Sequence, residues 1–252
     1  MSEYVDVIKN IRKNAKYMFL SYTYGNINVE IENANTTNMK TVDFLNDLLQ
    51  KESELRIENG KKARIKKANF PYKKYLSDLK CDNLPIDGRE KLASLETLEF
   101  IKEAQNIVLA GNPGTGKTHI AIGLGIKACM EGKKVLFVTI PMLINRLKES
   151  KANLTSSNLY RQFEIYDLII MDELGYISFD KEGGELLFNL ISLRAEKKST
   201  IITTNLSFDK WEEIFNDPVM TTAIIDRLTH KSHVINMTGE SYRLKETLGK
   251  VG

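Results

Sequence analysis

The chain has 252 residues, of which 42% are hydrophobic and 27% charged, and its formal net charge is +3. This composition is typical of a globular protein that buries a sizeable core, and it excludes a disordered, collagen-like or disulfide-framed chain. No run of about 18 apolar residues is present, and the charged N-terminus lacks the apolar segment of a secretory signal, so we expect a cytoplasmic protein. The two cysteines and three histidines do not have the spacing of a metal or redox site.

The first hundred residues are predicted to be mainly helical. Apolar residues at helical spacing predict one helix over residues 3–20 and a second from Thr41 to about residue 68, which Pro71 would end. Residues 23–39 are rich in Asn and Thr and are predicted to form a loop. A further helical pattern follows Pro85.

One stretch of this region carries the positive charge of the chain. Residues 61–80 contain eight Lys or Arg and one Asp, whereas the whole chain has 36 Lys or Arg against 33 Asp or Glu. Basic residues among Phe70, Tyr72 and Tyr75 suit a nucleic-acid backbone, although a solvated helix face has the same pattern. The candidate DNA-contacting residues are Lys61, Lys62, Arg64, Lys66, Lys67, Lys73 and Lys74.

From residue 106 onward, short apolar runs alternate with helical segments. Five runs rich in β-branched residues predict buried parallel strands, and the segments between them are predicted to form the crossover helices. The sequence therefore predicts an α/β domain with helices on both faces of a parallel sheet, over residues 81–252, after a helical, partly basic region over residues 1–80. The five predicted strands are 106–111, 134–140, 168–172, 199–205 and 232–237.

The first strand is followed by GNPGTGKT, which satisfies the phosphate-loop pattern G-x-x-x-x-G-K-[ST]. Its glycines allow turns that aim backbone N–H groups at phosphates, next to a helix N-terminus of positive partial charge. Lys117 is predicted to contact the β- and γ-phosphates, and the Thr118 hydroxyl to bind Mg²⁺. The predicted nucleotide-binding residues are Gly111, Asn112, Pro113, Gly114, Thr115, Gly116, Lys117 and Thr118.

Polar and charged residues at later strand ends indicate hydrolysis. Asp172 is expected to hold the magnesium shell, and the adjacent Glu173 to act as general base on a water. This pair favours ATP hydrolysis over phosphoryl transfer to a small acceptor. Asn205 ends the fourth strand and could touch both the γ-phosphate and the water. Two later arginines, Arg227 and Arg243, are candidates to stabilise charge on the γ-phosphate, in cis or from a neighbouring subunit.

Five segments occur together, in order and at short spacing: GNPGTGKTHIAIGL, DLIIMDELGYISFD, STIITTN, DPVMTTAIIDRLTHKSHVI and GESYRLKE. They resemble the IstB-like ATPases, the helper proteins of one class of bacterial insertion sequences. The resemblance covers about residues 40–248 and implies membership of the AAA+ superfamily, with kinship to the DnaC-type replicative helicase loaders.

The resemblance implies a role for each candidate residue in an AAA+ core with five parallel strands and ATP bound between adjacent subunits. Residues 111–118 correspond to the Walker A motif, and Asp172 and Glu173 correspond to Walker B. Asn205 becomes sensor 1, and Arg227 matches the arginine finger that acts in trans. Arg243 matches the sensor 2 position, and we expect a short tail to deliver it in place of a full C-terminal lid.

The resemblance also implies ATP and Mg²⁺ as cofactors, oligomerisation, binding to double-stranded DNA and regulation of a cognate transposase. Two alternatives remain open at this point. The chain could be a helicase loader, although it lacks the zinc-binding cysteine cluster expected of the Bacillus type. It could also be an ATP-gated DNA scaffold that does not hydrolyse ATP, which Glu173 and Asn205 disfavour.

Overall fold

The computed structural model describes residues 2–176 and 178–244. The chain divides after Ala63 into two compact units, earlier than the boundary predicted near residue 80. The reason is that the next residues already pack on the sheet of the second unit: Arg64 Nε donates to the Cys129 carbonyl at 2.7 Å, and Phe137 N–H donates to the Ala68 carbonyl at 2.8 Å. None of the helices in the described part of the chain combines the length and the hydrophobicity of a membrane span.

The first unit is built from helices. It contains α1 (Ser2–Tyr17), α2 (Ser21–Thr36) and most of α3 (Thr41–Lys67). Its small core takes one buried residue from each helix: Ile8, Ile27 and Leu48. The predicted helices over 3–20 and from Thr41 are thereby confirmed, with α1 ending at Tyr17.

The prediction of a loop over residues 23–39 is wrong, because α2 occupies most of that segment. Asn and Thr have low intrinsic helix propensity, but tertiary packing supplies most of the stability of a protein helix. Ile27 is buried in the core of the unit. Glu52 of α3 also accepts hydrogen bonds from the Thr23 backbone N–H and hydroxyl, at 2.9 and 3.2 Å, which satisfies an amide at the start of α2.

The second unit is an α/β domain whose parallel strands stand in the order β2-β3-β4-β1-β5. This confirms the predicted parallel sheet of five strands. The elements in chain order are α4 (Ile86–Leu95), α5 (Glu99–Lys102), β1 (Asn106–Ala110), α6 (Lys117–Met130), β2 (Val135–Thr139), α7 (Ile140–Ala152), α8 (Ser156–Glu164), β3 (Leu168–Leu174), α9 (Lys181–Arg194), β4 (Ser199–Thr204), α10 (Glu212–Phe215), α11 (Pro218–Thr229) and β5 (Ser232–Asn236).

The sheet is covered on both faces. Successive strand residues point to opposite faces, so Ile201 and Ile202 of β4 belong to two different hydrophobic clusters. The first cluster contains residues of α4 and α6, and the second contains residues of α7, α9 and α11. Because β4 lies between β1 and β3, the ends of these three strands meet at one edge of the sheet.

Candidate nucleotide-binding site

A cavity of about 360 Å³ lies at the carboxyl ends of β1, β3 and β4. This is the edge of an open α/β sheet at which ligands characteristically bind. The cavity brings together the phosphate loop, the ends of β3 and β4 with Glu173 and Asn205, and the last described residues. Its lining residues are Tyr72, Lys74, Asp78, Leu79, Lys80, Asn83, Leu84, Pro113, Gly114, Thr115, Gly116, Lys117, Thr118, His119, Glu173, Tyr176, Thr203, Thr204, Asn205, Tyr242 and Arg243.

The phosphate loop connects β1 to α6 and has the backbone that its sequence predicts. Gly114 and Gly116 have φ angles of 80° and 95°, in the left-handed region that favours glycine, and Gly116 caps α6. The Lys117 ammonium donates to the carbonyls of Gly111 and Asn112, both at 2.6 Å. Burial lowers the pKa of Lys117 to about 8. The lysine is thus held against its own loop, within the cavity where phosphates would bind.

Asp172 lies at the end of β3, where two hydroxyl groups contact its carboxylate. Thr118 Oγ1 donates to Asp172 Oδ1 at 3.0 Å, and Thr203 Oγ1 donates to the same oxygen at 2.5 Å. Burial raises the pKa of Asp172, and these two hydrogen bonds partly offset that increase. Thr118 and Asp172 are therefore adjacent, as the predicted magnesium site requires.

Glu173 is exposed and lines the cavity, and its backbone has an unusual conformation. Its φ of 70° lies in the left-handed region, which is uncommon for a residue with a side chain. The pairing of β3 with β4 also shifts register between Met171 and Leu174. The backbone N–H of Glu173 instead donates to Thr203 Oγ1 at 3.0 Å.

Asn205 lies directly after β4, in the wall of the cavity. Its Oδ1 atom is buried and accepts no hydrogen bond from the residues that the structure describes. A Cβ atom added to Gly175 would lie 2.7 Å from this oxygen, so Gly175 leaves room for the Asn205 side chain. A buried acceptor without a partner suits a site that receives a polar ligand or a water.

The segment after β5 brings Arg243 to the cavity. The Tyr242 N–H donates to the Gly114 carbonyl at 3.0 Å, and the Asn112 side-chain amide donates to the Gly239 carbonyl at 3.2 Å. This short tail is thus bonded directly to the phosphate loop. Arg243 lines the cavity, and its predicted role as sensor 2 stays a prediction.

Arg227 lies near the end of α11, outside the cavity. Its guanidinium stacks over the Phe188 ring at 4.5 Å and donates to the Ala223 carbonyl at 3.2 Å. A single chain therefore does not bring Arg227 to its own candidate site. The predicted role in trans requires a second subunit and stays a prediction.

The candidate DNA-contacting residues have different surroundings. Arg64 is engaged with the Cys129 carbonyl, and Lys74 lines the nucleotide cavity with its ammonium 5.2 Å from the Tyr72 ring centre. Lys62 forms an exposed ion pair with Glu58 at 3.6 Å. Arg64 and Lys74 are therefore set aside as DNA contacts. The proposal of DNA contact rests on the other five candidates: Lys61, Lys62, Lys66, Lys67 and Lys73.

Sequence analysis missed one wall of the cavity. Residues 72–84 contribute Tyr72, Leu79 and Leu84, and the tail contributes Tyr242. Residues 72–84 form short turns, and no local motif marks them as ligand-binding. Their position follows only from how the chain passes over the phosphate loop.

Residues 16–249 match the sequence model of the IstB-like ATP binding proteins. The chain belongs to this family. Among relatives, it is 38% identical over 216 residues to the IS21 insertion-sequence protein of Pseudomonas aeruginosa, which is named for ATP binding; the match covers 86% of this chain and 82% of the relative. It is 31% identical over 242 residues to the IS232 counterpart of Bacillus thuringiensis subsp. berliner, covering 96% and 97%.

Solved structures resemble the fold of this IstB-like protein. The DnaI structure has a TM-score of 0.55 at 21% identity, covering 67% of this chain and 90% of that chain. The DnaC helicase loader has a TM-score of 0.51 at 21% identity, covering 61% and 91%. AMPPCP-bound DnaA from Aquifex aeolicus has a TM-score of 0.53 at 19% identity, covering 72% and 55%. These likenesses show the fold alone, whereas ATP binding is the property for which the family is named.

Proposed function

We propose that this IstB-like protein hydrolyses ATP to ADP and phosphate, and that this cycle drives a DNA-bound helper assembly in transposition. The observation that carries the hydrolytic part is the position of Glu173, an exposed carboxylate that lines the same cavity as Lys117 and Thr118. A carboxylate at that place can accept a proton from a water that attacks the γ-phosphate. A scaffold that only binds ATP has no need of it.

The residues divide the chemistry among them. The loop amides and Lys117 bind the β- and γ-phosphates. Glu173 takes the proton while the water oxygen bonds to the γ-phosphorus and the bond to the β,γ-bridging oxygen breaks, so that ADP leaves. The Asn205 Oδ1 atom accepts a hydrogen bond from the same water, which orients that water. Arg243 adds positive charge beside the phosphates from its own subunit.

Magnesium fits the residues that are present. Thr118 and Asp172 offer a hydroxyl and a carboxylate oxygen 3.0 Å apart, which are the hard oxygen ligands that Mg²⁺ prefers. Mg²⁺ commonly takes only one or two protein ligands and completes its shell with phosphate oxygens and water. When bound, the ion would neutralise charge on the β- and γ-phosphates.

The two proposed partners, DNA and a transposase, are supported by different observations. The lysine-rich segment supports a DNA contact through phosphates, which bind by charge. The relatives are named for insertion sequences, and this supports a transposase as partner over a replicative helicase. Stimulation of strand transfer by a cognate insertion-sequence transposase tests the assignment, and loading of a replicative helicase without such stimulation would contradict it.

Two variants test the ATPase assignment. Lys117→Ala should lose tight ATP binding, because the phosphates lose their main cation. Glu173→Gln should bind ATP with an affinity close to that of wild type and hydrolyse it roughly 10²–10⁴ times more slowly, because a general base is lost. The measurements are nucleotide titration with magnesium and phosphate release.

Glu213→Gln is the matched control, since Glu213 is exposed on α10 and is absent from the cavity wall. It should turn over ATP like wild type. Near-normal phosphate release from Glu173→Gln would remove Glu173 from the catalytic role.

A further inference from the structure

The hydroxyl of Thr203 connects the two acidic residues of the site. Thr203 lies on β4, the strand next to theirs, and is 3% exposed. Its Oγ1 donates to Asp172 Oδ1 at 2.5 Å and accepts from the Glu173 backbone N–H at 3.0 Å. One oxygen atom therefore contacts both residues at once.

The backbone irregularity at this point explains why a hydroxyl is needed. Met171 pairs with Ile202 and Leu174 pairs with Thr204, so Asp172 and Glu173 together oppose the single residue Thr203. Such a bulge interrupts the ladder and leaves an amide without its backbone partner. The Thr203 hydroxyl takes the place of that partner for the Glu173 N–H.

The conformation of Glu173 makes this contact consequential. A φ of 70° at a residue with a side chain is strained and persists only where the surroundings hold it. The hydrogen bond from its N–H is such a restraint. It sets the direction in which the Glu173 side chain leaves the strand and enters the cavity.

We propose that Thr203 is a positioning residue for ATP hydrolysis, which orients the Asp172 carboxylate by donating to it and fixes the Glu173 backbone by accepting from it. The inference rests on the proposed hydrolytic function. A hydroxyl is the side-chain group that donates one hydrogen bond and accepts others through a single atom. Valine has nearly the same shape and does neither, whereas serine does both.

The test compares three variants of the full chain. Thr203→Val removes the hydroxyl, Thr203→Ser retains it, and Thr200→Val is the control. Thr200 is a buried threonine on the same strand, at the end away from the site, and its hydroxyl accepts from Arg194 Nε at 3.3 Å. Steady-state ATP hydrolysis, nucleotide affinity and thermal unfolding are measured for each.

The expected signature is a loss of kcat without a loss of binding. Thr203→Val should lower kcat roughly 10- to 100-fold, as a misplaced catalytic group does, with KM and nucleotide Kd within about threefold of wild type. Thr203→Ser should restore kcat to within about threefold of wild type. Thr200→Val should keep the wild-type kcat at temperatures below its unfolding transition.

Two results would overturn the inference: a wild-type kcat in Thr203→Val, or a Thr203→Ser variant as slow as Thr203→Val. If Thr203→Val does not fold, Thr203→Ala replaces it, and Thr203→Ser must still exceed it in kcat. Glu173→Gln is assayed in parallel. A slow Glu173→Gln with a normal Thr203→Val refutes the positioning role alone, whereas a normal Glu173→Gln refutes the hydrolytic function itself.

Discussion

Asn205 and Gly175 show how one residue can control another at the site. The Asn205 Oδ1 atom is buried and accepts no hydrogen bond within the described part of the chain, and a Cβ added to Gly175 would lie 2.7 Å from it. Gly175 has a φ of 103°, so its conformation also favours glycine. The glycine thus serves the geometry of the cavity wall as well as that of the turn.

Gly175→Ala should lower the kcat of ATP hydrolysis by roughly tenfold or more while ATP affinity stays near wild type, because the new methyl group displaces Asn205 and not the phosphate loop. Phosphate release and nucleotide titration measure the two effects. Gly132→Ala is the control: Gly132 has a φ of 91°, and an added Cβ there meets nothing within 4 Å. Equal losses in both variants would mean that backbone strain alone is responsible.

At the scale of elements, α2 depends on its contacts with α3. Glu30 of α2 accepts a hydrogen bond from Lys51 at 2.8 Å and from Tyr22 at 2.6 Å. These hydrogen bonds lower the pKa of Glu30 below its ordinary value of 4.5, and the bond from Lys51 has the larger effect. The charged form of Glu30 therefore stabilises the helical unit.

Because the folded-state pKa of Glu30 is lowered, its contribution is present above about pH 4.5 and is lost as the pH falls through the folded-state value. Glu30→Gln should therefore reduce the free energy of unfolding by about 1–2 kcal/mol at neutral pH, and by less in acid. Thermal unfolding followed by far-UV circular dichroism between pH 3 and 7 measures this difference.

Two controls accompany that measurement. Glu32→Gln changes an exposed residue of the same helix and should keep the wild-type pH dependence. Emission from Trp211, the only tryptophan of the chain, reports on the second unit, where this residue is buried. A Glu30→Gln variant with unchanged pH dependence would contradict the stabilising role of the Glu30 charge.

At the scale of the whole molecule, the candidate DNA-contacting lysines fall in both compact units. Lys61 and Lys62 precede the division after Ala63, and Lys66, Lys67 and Lys73 follow it. Each unit can therefore be tested by its own variant. The physical signature of a phosphate contact is a dependence of affinity on salt.

Replacement of Lys66 and Lys67 by Gln should weaken binding to duplex DNA of any sequence, and should reduce the slope of log affinity against log salt by about 2 if both lysines contact phosphates. The same holds for the Lys61 and Lys62 pair. Fluorescence anisotropy at several salt concentrations measures the slope. Replacement of Lys133 and Lys134, in the turn after α6, removes equal charge and should leave the slope unchanged.

Arg227 tests whether the site is completed by a neighbour. Arg227→Ala should bind ATP normally, because Lys117 and the loop amides are intact, and should hydrolyse it roughly 10³–10⁵ times more slowly. Mixed on DNA with Lys117→Ala, it should regain part of the activity, because some interfaces then combine an intact nucleotide site with an intact finger. A role within one subunit predicts no recovery at any ratio in mixed assemblies verified by crosslinking.

Several features of this protein depend only on residues that are close together along the chain. The phosphate loop depends on glycines at fixed spacing between a strand and a helix, and the buried strands depend on continuous β-branched runs. The acidic pair at Asp172 and the end of α3 before Pro71 follow from neighbours along the chain. These features were predictable because the residues that decide them are adjacent in sequence.

Other features could not be predicted from local patterns, because the residues that stabilise them are distant in sequence. The helix over Ser21–Thr36 forms against its intrinsic propensity, since Glu52 and the core of the unit stabilise it. The Glu173 N–H at the bulge donates to the hydroxyl of Thr203, 30 residues away on the neighbouring strand. The Tyr242 N–H, in the segment after β5, donates to the Gly114 carbonyl, and this backbone contact does not depend on the type of side chain. Such contacts depend on which strands and turns become neighbours, and this is fixed by burial of the whole core.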